Sequence, residues 1–215
     1  MLMLFQQFSG INAIILYCTK IFDLAGLHYP TAISLAVAGT QILFTGIACL
    51  VVDKSGRRIL LLAGGVVMFL CQFLLGVYFD LIEVDGDDNK ISIFGKFSHT
   101  FSPHKISILA ILCIVIYIAI FSIGWGPLPW LLMSELLPPK AKGLVGGFVT
   151  LMNWTCVFIT TNLFHEMVST FFAQGTFWFF AGFALLSFLF TLFYVPETKG
   201  KTLEEIEEIF AQRSS

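Results

Sequence analysis

Charged residues are scarce in this chain, at 12% of 215 residues, where a soluble domain carries roughly 25%. A surface so poor in charge cannot cover itself in water. The basic residues are also scattered, and the net charge is −2. No patch has the density that binding a phosphate backbone requires, which argues against nucleic acid as a partner. Cysteine is present but without framework: Cys18, Cys49, Cys71, Cys113 and Cys156 all fall in apolar runs, spaced neither as metal ligands nor as loop disulfides. They are expected to act as packing residues. No basic n-region precedes the first apolar stretch, so no cleavable signal peptide is expected, and the first span can itself direct insertion. Within the apolar runs ionisable groups are almost missing, which argues against a proton relay or ion channel built from these residues alone. No nucleophile with a neighbouring base, and no metal cluster, is found there, so neither an enzyme nor a cofactor is expected.

What the chain has in abundance is apolar sequence: 57% hydrophobic residues and 24 phenylalanines. The runs reach the roughly 20 residues that a helix needs to cross a bilayer. Charged or Pro/Gly-rich breaks divide them into six expected spans, at 1–22, 30–52, 59–79, 106–133, 144–168 and 176–195, giving an all-α membrane protein. A hydrophilic insert at 80–105 separates the third and fourth spans.

An even number of spans puts both termini on one side of the membrane. Lys54, Arg57, Arg58, Lys140, Lys142, Lys199, Lys201 and Arg213 share that side, against Lys20, Lys90, Lys96 and Lys105 on the other. The positive-inside rule then makes the termini cytoplasmic and the insert exoplasmic. The tail at 196–215 contains Thr202 and Glu205 at capping-box spacing, followed by an apolar stripe of Leu203, Ile206, Ile209 and Phe210. A short amphipathic helix under the membrane domain fits that pattern, as does a solvated acidic tail.

Polar residues inside the spans are mostly uncharged. Gln6, Gln7 and Asn12 lie in the first span, Gln41 in the second, Gln72 in the third, and Asn153 beside Trp154 in the fifth. Amides donate and accept together, as a neutral polyhydroxyl ligand requires. Single amides also tie helices to one another, the role that suits Gln72 better. The recurrence of the others across three spans points to a shared polar cavity.

A straight helix at about 100° per residue would aim Gln6 and Asn12 about 120° apart. A break at the intervening Ser9-Gly10 lets them converge, as in the discontinuous helices of transporters. The run Gly124-Trp-Gly-Pro-Leu-Pro-Trp130 has the same character, because Pro127 and Pro129 remove backbone donors while Gly124 and Gly126 loosen the helix. A moving hinge beside Trp130 and a static kink both fit this composition.

Six ordered segments resemble the sugar-porter family of the major facilitator superfamily. They are Gln6-Gln-Phe-Ser-Gly-Ile-Asn12, Asp53-Lys-Ser-Gly-Arg-Arg58, Gly124 to Trp130, Ser134-Glu-Leu-Leu-Pro138 with Lys140 to Gly143, Asn153-Trp154, and Pro196-Glu-Thr-Lys-Gly200. Order and spacing match spans seven to twelve, the C-terminal half-bundle of that fold. The Trp-Gly-Pro and Leu-Leu-Met-Ser-Glu wording is most similar to class III hexose transporters, which implies a plasma-membrane or intracellular (endosomal or lysosomal) location.

The resemblance implies that Gln6, Gln7 and Asn12 hydrogen-bond a hexose, that Trp130 stacks near it, and that Gln41, Asn153 and Trp154 help line the site. Many members have asparagine where Gln41 stands, and the extra methylene reshapes the pocket. Some plasma-membrane members have glutamate where Ser122 stands, so that gating charge is missing. Asp53, Arg57, Arg58, Glu135, Lys142 and Glu197 match the family's cytoplasmic salt-bridge network.

The family places its substrate between two six-span halves, and these segments match one half. The resemblance therefore implies facilitative hexose transport by alternating access in partnership with an N-terminal half, in a lipid bilayer. A non-transporting interaction fragment and a proton-coupled sugar or polyol transporter are the alternatives. The single Asn-x-Thr pattern, at Asn153, lies within a span and is not expected to be glycosylated.

Overall fold

The computed structural model describes residues 1–24, 30–84, 103–137, 142–200 and 205. Seven helices are assigned among them: α1 (Leu2–Phe8), α2 (Ile11–Leu24), α3 (Pro30–Ser55), α4 (Arg57–Val84), α5 (Pro103–Ile123), α6 (Leu128–Leu136) and α7 (Lys142–Tyr194). Among the described residues, Thr31–Val52, Arg57–Leu81, Ile108–Leu136 and Lys142–Tyr194 are long and apolar enough to cross a membrane, and Leu2–Leu16 forms a shorter apolar stretch.

The first expected span is thus two helices, broken at Ser9 and Gly10. Gly10 adopts φ +80, a left-handed conformation that only glycine enters freely. The fourth is also two helices, α5 and α6, separated by a turn over Gly124 to Pro127. Pro127 sits at the N-cap of α6 and Pro129 within its first turn, where a missing N–H costs least.

The fifth and sixth expected spans form one continuous helical assignment, interrupted at Phe172 with φ 59 and ψ 174. The ring centroids of Phe164 and Phe180 are nevertheless only 6.3 Å apart, whereas 16 residues of straight helix would separate them by about 24 Å. The chain therefore doubles back at Phe172, and α7 consists of two antiparallel arms. A phenylalanine at positive φ is strained. No proline marks this reversal, so composition gave only the drop in hydropathy at its place.

The polar insert is shorter than expected at both ends. Helix α4 runs on to Val84 and α5 starts at Pro103, and Asp80 is buried and partnered rather than in a loop. A 28-residue helix is about 42 Å long, more than the roughly 30 Å that crossing a hydrocarbon core requires. The rest of the insert and the tail's apolar stripe lie outside the described residues.

Helix α4 packs against α5 and α7, α3 against α5, and α1 against α7. Leu61, Met68, Leu75, Ile114, Tyr117, Trp125 and Phe177 fill the centre, and Phe79 stacks on Phe177. Ala13, Phe164 and Phe180 make a second, smaller cluster beneath the α1–α2 break. Of the cysteines, Cys18, Cys71, Cys113 and Cys156 are buried and free as expected of packing residues, whereas Cys49 is exposed.

Candidate functional site

The break at Ser9-Gly10 is held from three sides. Ser9 Oγ donates to the Gln6 carbonyl at 2.7 Å. The Ser9 carbonyl accepts from the Tyr117 hydroxyl at 2.7 Å and from Gln72 Nε2. Tyr117 and Gln72 are fully buried on α5 and α4, so two neighbouring helices fix the turn. Gln72 thus ties helices together, and neither side chain lines the cavity described next.

With the turn in place, Gln6, Gln7, Asn12, Gln41, Trp130, Asn153 and Trp154 all line one cavity of about 270 Å³. They come from α1, α2, α3, α6 and α7. Ile11, Ile15, Phe121, Gly126 and Val157 complete the wall, giving apolar surface with a few convergent amides, the usual make-up of a small-molecule site. Trp154 is 63% exposed and stands at the rim. Sequence reasoning missed Phe121, whose alternation with polar Ser122 offered no signal.

The amides form a chain. Asn12 Nδ2 donates to Gln7 Oε1, Gln7 Nε2 donates to Gln6 Oε1 at 3.3 Å, and Asn153 Nδ2 donates to the same Gln6 oxygen at 3.1 Å. Gln6 Nε2 in turn donates to the carbonyls of Trp125 and Gly126, at 2.7 and 2.8 Å. Gly126 and Trp130 belong to the α5–α6 break and its wall; Gly124, Pro127 and Pro129 shape that break without lining the cavity. Trp125 points away, its Nε1 donating to the Leu61 carbonyl at 3.0 Å.

The charged residues gather at the opposite end of α6. Arg57 Nη2 donates to Glu135 at 3.3 Å, and the other Glu135 oxygen accepts from Thr198 Oγ1 at 2.8 Å. Among the described residues, Glu197 bonds to backbone amides. Its carboxylate accepts the backbone amides of Arg57 and Lys199, both at 3.0 Å, and that of Arg58 at 3.2 Å, capping the N-terminus of α4 where the helix dipole favours a negative charge. Gly56, at φ +88, leaves just the space that this carboxylate occupies. Arg58 Nη2 donates to the Leu192 carbonyl at 2.7 Å, near the negative C-terminal end of α7. Lys142 is exposed at the start of α7, and the Asp53 side chain lies outside the described residues. Among the described residues, the expected charge network thus includes the Arg57–Glu135 ion pair beside these helix-end contacts.

Comparison with known proteins decides the family. Residues 1–210 match the family described as "Sugar (and other) transporter". The chain belongs to it. This is a family of transporters, not of enzymes, and the chain is a membrane protein of the major facilitator type. It is 40% identical to mouse "Solute carrier family 2, facilitated glucose transporter member 8", over 99% of this chain and 45% of that protein. It is 41% identical to the facilitated trehalose transporter Tret1 of Drosophila yakuba, over 96% of this chain and 22% of that protein. Among solved structures, the inward-open xylose transporter XylE from E. coli superposes with a TM-score of 0.76 at 30% identity, over 97% of this chain and 40% of that one. A XylE structure bound to 6-bromo-6-deoxy-D-glucose gives 0.71 at 28% identity, over 97% of this chain and 41% of that one. The chain spans less than half the length of each of these proteins.

Proposed function

We propose that this chain is the C-terminal, six-span half of a facilitative hexose transporter, and that the 270 Å³ cavity is its share of the sugar site. The observation that carries the reading is the gathering of all seven candidate residues on one cavity in a member of a sugar-transporter family. Six crossings follow from pairing α1 with α2 and α5 with α6, and from counting the two arms of α7 separately, alongside α3 and α4. Gln7, Asn12 and Asn153 retain free donor or acceptor positions toward the cavity. Trp130 and Trp154 offer aromatic faces to the weakly polar C–H groups of a sugar ring. The two helix breaks supply hinges for alternating access, and the Arg57–Glu135 pair with the Glu197 cap closes the cytoplasmic end in the outward-facing state. An isolated surface ion pair contributes only about 0 to 1 kcal/mol, so closure relies on the capped helix ends as well.

In the chain joined to the N-terminal half of the mouse relative, Gln7→Ala is expected to weaken hexose binding by about 0.5 to 3 kcal/mol, with insertion nearly unchanged. Equilibrium binding of labelled glucose measures it. Undiminished affinity in a correctly inserted Gln7→Ala protein would exclude Gln7 from the site.

The reading also sets the orientation, with the Arg57, Glu135 and Glu197 end in the cytoplasm. Lys199 is exposed at that end. With Cys49 replaced by serine, a cysteine substituted for Lys199 should react with an impermeant maleimide only after the plasma membrane is opened. Labelling in intact cells would reverse the topology.

A further inference from the structure

We propose that Gln72 and Tyr117 are positioning residues that hold the Ser9 carbonyl as the pivot of the α1–α2 break, on a seam between α4 and α5 that stays closed while the break bends. The proposal rests on the sugar-site reading above and adds what steadies its hinge. In a continuous helix the Ser9 carbonyl would accept from the backbone N–H of Ala13. At Gly10, φ +80, the chain turns, and α2 restarts with the Ile14 N–H on the Gly10 carbonyl at 2.9 Å. Ser9 is 1% exposed, and a carbonyl left without a donor there would have no water to turn to. A carbonyl oxygen has two acceptor positions. Tyr117 fills one from α5, at 2.7 Å, and Gln72 fills the other from α4. Neither side chain lines the cavity, so both act on its amides only through the turn.

The two donors arrive together because α4 and α5 run antiparallel in close register. Trp125 Nε1 bonds the Leu61 carbonyl at 3.0 Å. A Cβ at Gly124 would lie 3.2 Å from the Leu60 carbonyl oxygen, and one at Gly64 would lie 2.9 Å from the Trp125 ring and 3.7 Å from Ile120. These glycines let the helices meet closely. Two turns farther along the seam from Gly64 and Ile120, Cys71 meets Cys113, their thiols hydrogen-bonded to each other. Gln72 follows Cys71, and Tyr117 lies one turn from Cys113, so the register that joins the thiols also brings both donors to one oxygen. Separating α4 from α5 would strip that oxygen of a donor. Rotation about φ and ψ of Gly10 leaves the Ser9 peptide plane in place, so the break can bend without releasing either one.

Two measurements test this. The first uses the purified chain without sugar and follows backbone amide exchange at Gly10 and Ile14, whose N–H groups bond the Gln7 and Gly10 carbonyls on either side of the pivot. Tyr117→Phe and Gln72→Met each keep the size of the side chain, remove one donor and leave the other. Exchange should rise about threefold in either single variant and about thirtyfold or more in the double, because only the double leaves a buried carbonyl unpaired. A double variant that fails to fold where both singles fold shows the same excess. A rise in the double no larger than the product of the singles would overturn the shared pivot.

The second measurement uses the chain joined to the mouse N-terminal half, with glucose and each of its mono-deoxy derivatives. Each single variant should raise KM by the same factor for every sugar, since it shifts the amides without touching a hydroxyl. An unchanged KM at a lower rate would reduce the pair to packing, and one deoxy sugar handled as well by the variant as by the parent would make that residue a ligand; either result overturns the proposal. In the same joined protein, with every other cysteine replaced by serine, copper–phenanthroline should join Cys71 to Cys113, seen as the loss of both maleimide-reactive thiols after denaturation. The joined form should carry labelled glucose at the rate of the reduced protein. Failure of the thiols to join, or transport that is lost on joining and regained with dithiothreitol, would overturn the closed seam. If the parent carries no hexose, the sugar reading fails, while amide exchange still decides on the pivot.

Discussion

Gly10→Ala is expected to destabilise the protein by about 2 to 5 kcal/mol and to disperse the amides that line the cavity. Two independent effects add. At φ +80 an alanine pays the left-handed penalty of about 1 to 2 kcal/mol. Its Cβ would also lie 2.7 Å from the Phe180 ring, an overlap of the kind that costs about 1 to 3 kcal/mol when a packed core must shift. Phe180 cannot simply retreat, because it is fully buried between Ala13 and Phe164. Relief by straightening the turn would instead rotate Gln6 away from Asn12, toward the roughly 120° separation of a regular helix. Thermal unfolding in detergent measures the first consequence and hexose binding the second. The double variant Gly10→Ala/Phe180→Leu should be less destabilised than the sum of the two single changes, since the smaller side chain relieves the overlap but not the φ penalty. Strict additivity would show that the ring is not what excludes a side chain at residue 10.

The same turn shows what could be read from the sequence. Gln6 and Asn12 would point about 120° apart on a straight helix, so lining one cavity together requires a break, and Ser9-Gly10 is the place with the residues for one. The α5–α6 break was legible for a related reason, since two prolines and two glycines within seven residues cannot continue a helix unaided. Both inferences use local chemistry, in which the residues that cause the feature lie within it. The bonds that hold these breaks were not legible, because their partners are far away in sequence. Nothing near Ser9 announces Tyr117 or Gln72, and nothing near Pro129 announces Gln6. The capping bonds of Glu197 were not legible for a different reason. A carboxylate in a row of cations suggests ion pairs, but three backbone amides converge on it once α4 begins at Arg57, and those donors do not appear in a list of side chains. The reversal at Phe172 depends on packing of Phe164 against Phe180, and polarity at 165–175 located it only approximately.

The other large expected effect concerns transport itself. Reconstituted alone, the 215-residue chain is expected to insert into membranes and to move no hexose above background. Its cavity is open at the rim where Trp154 stands, and the helices α3 and α7 that help line it also carry exposed apolar side chains: Leu35, Ile42 and Leu43 on α3, and Leu144, Phe148, Leu151, Trp154 and Phe158 on α7. Exposure of such residues is harmless in lipid, but the amides between them are not, because an unpaired polar group in hydrocarbon costs several kcal/mol. A second bundle seated on that rim would cover both the apolar faces and the amides, and alternating access needs such a body to rock against. Labelled-hexose uptake into proteoliposomes should therefore be at background with the chain alone, and saturable and stereoselective after co-reconstitution with the N-terminal half of the mouse relative. Background uptake in both, with the two halves shown to bind, would favour a non-transporting interaction role. Saturable, stereoselective uptake by the chain alone, with no self-association on crosslinking, would overturn the half-transporter reading, because one open wall of amides would then have to form a pathway without a second wall to close it.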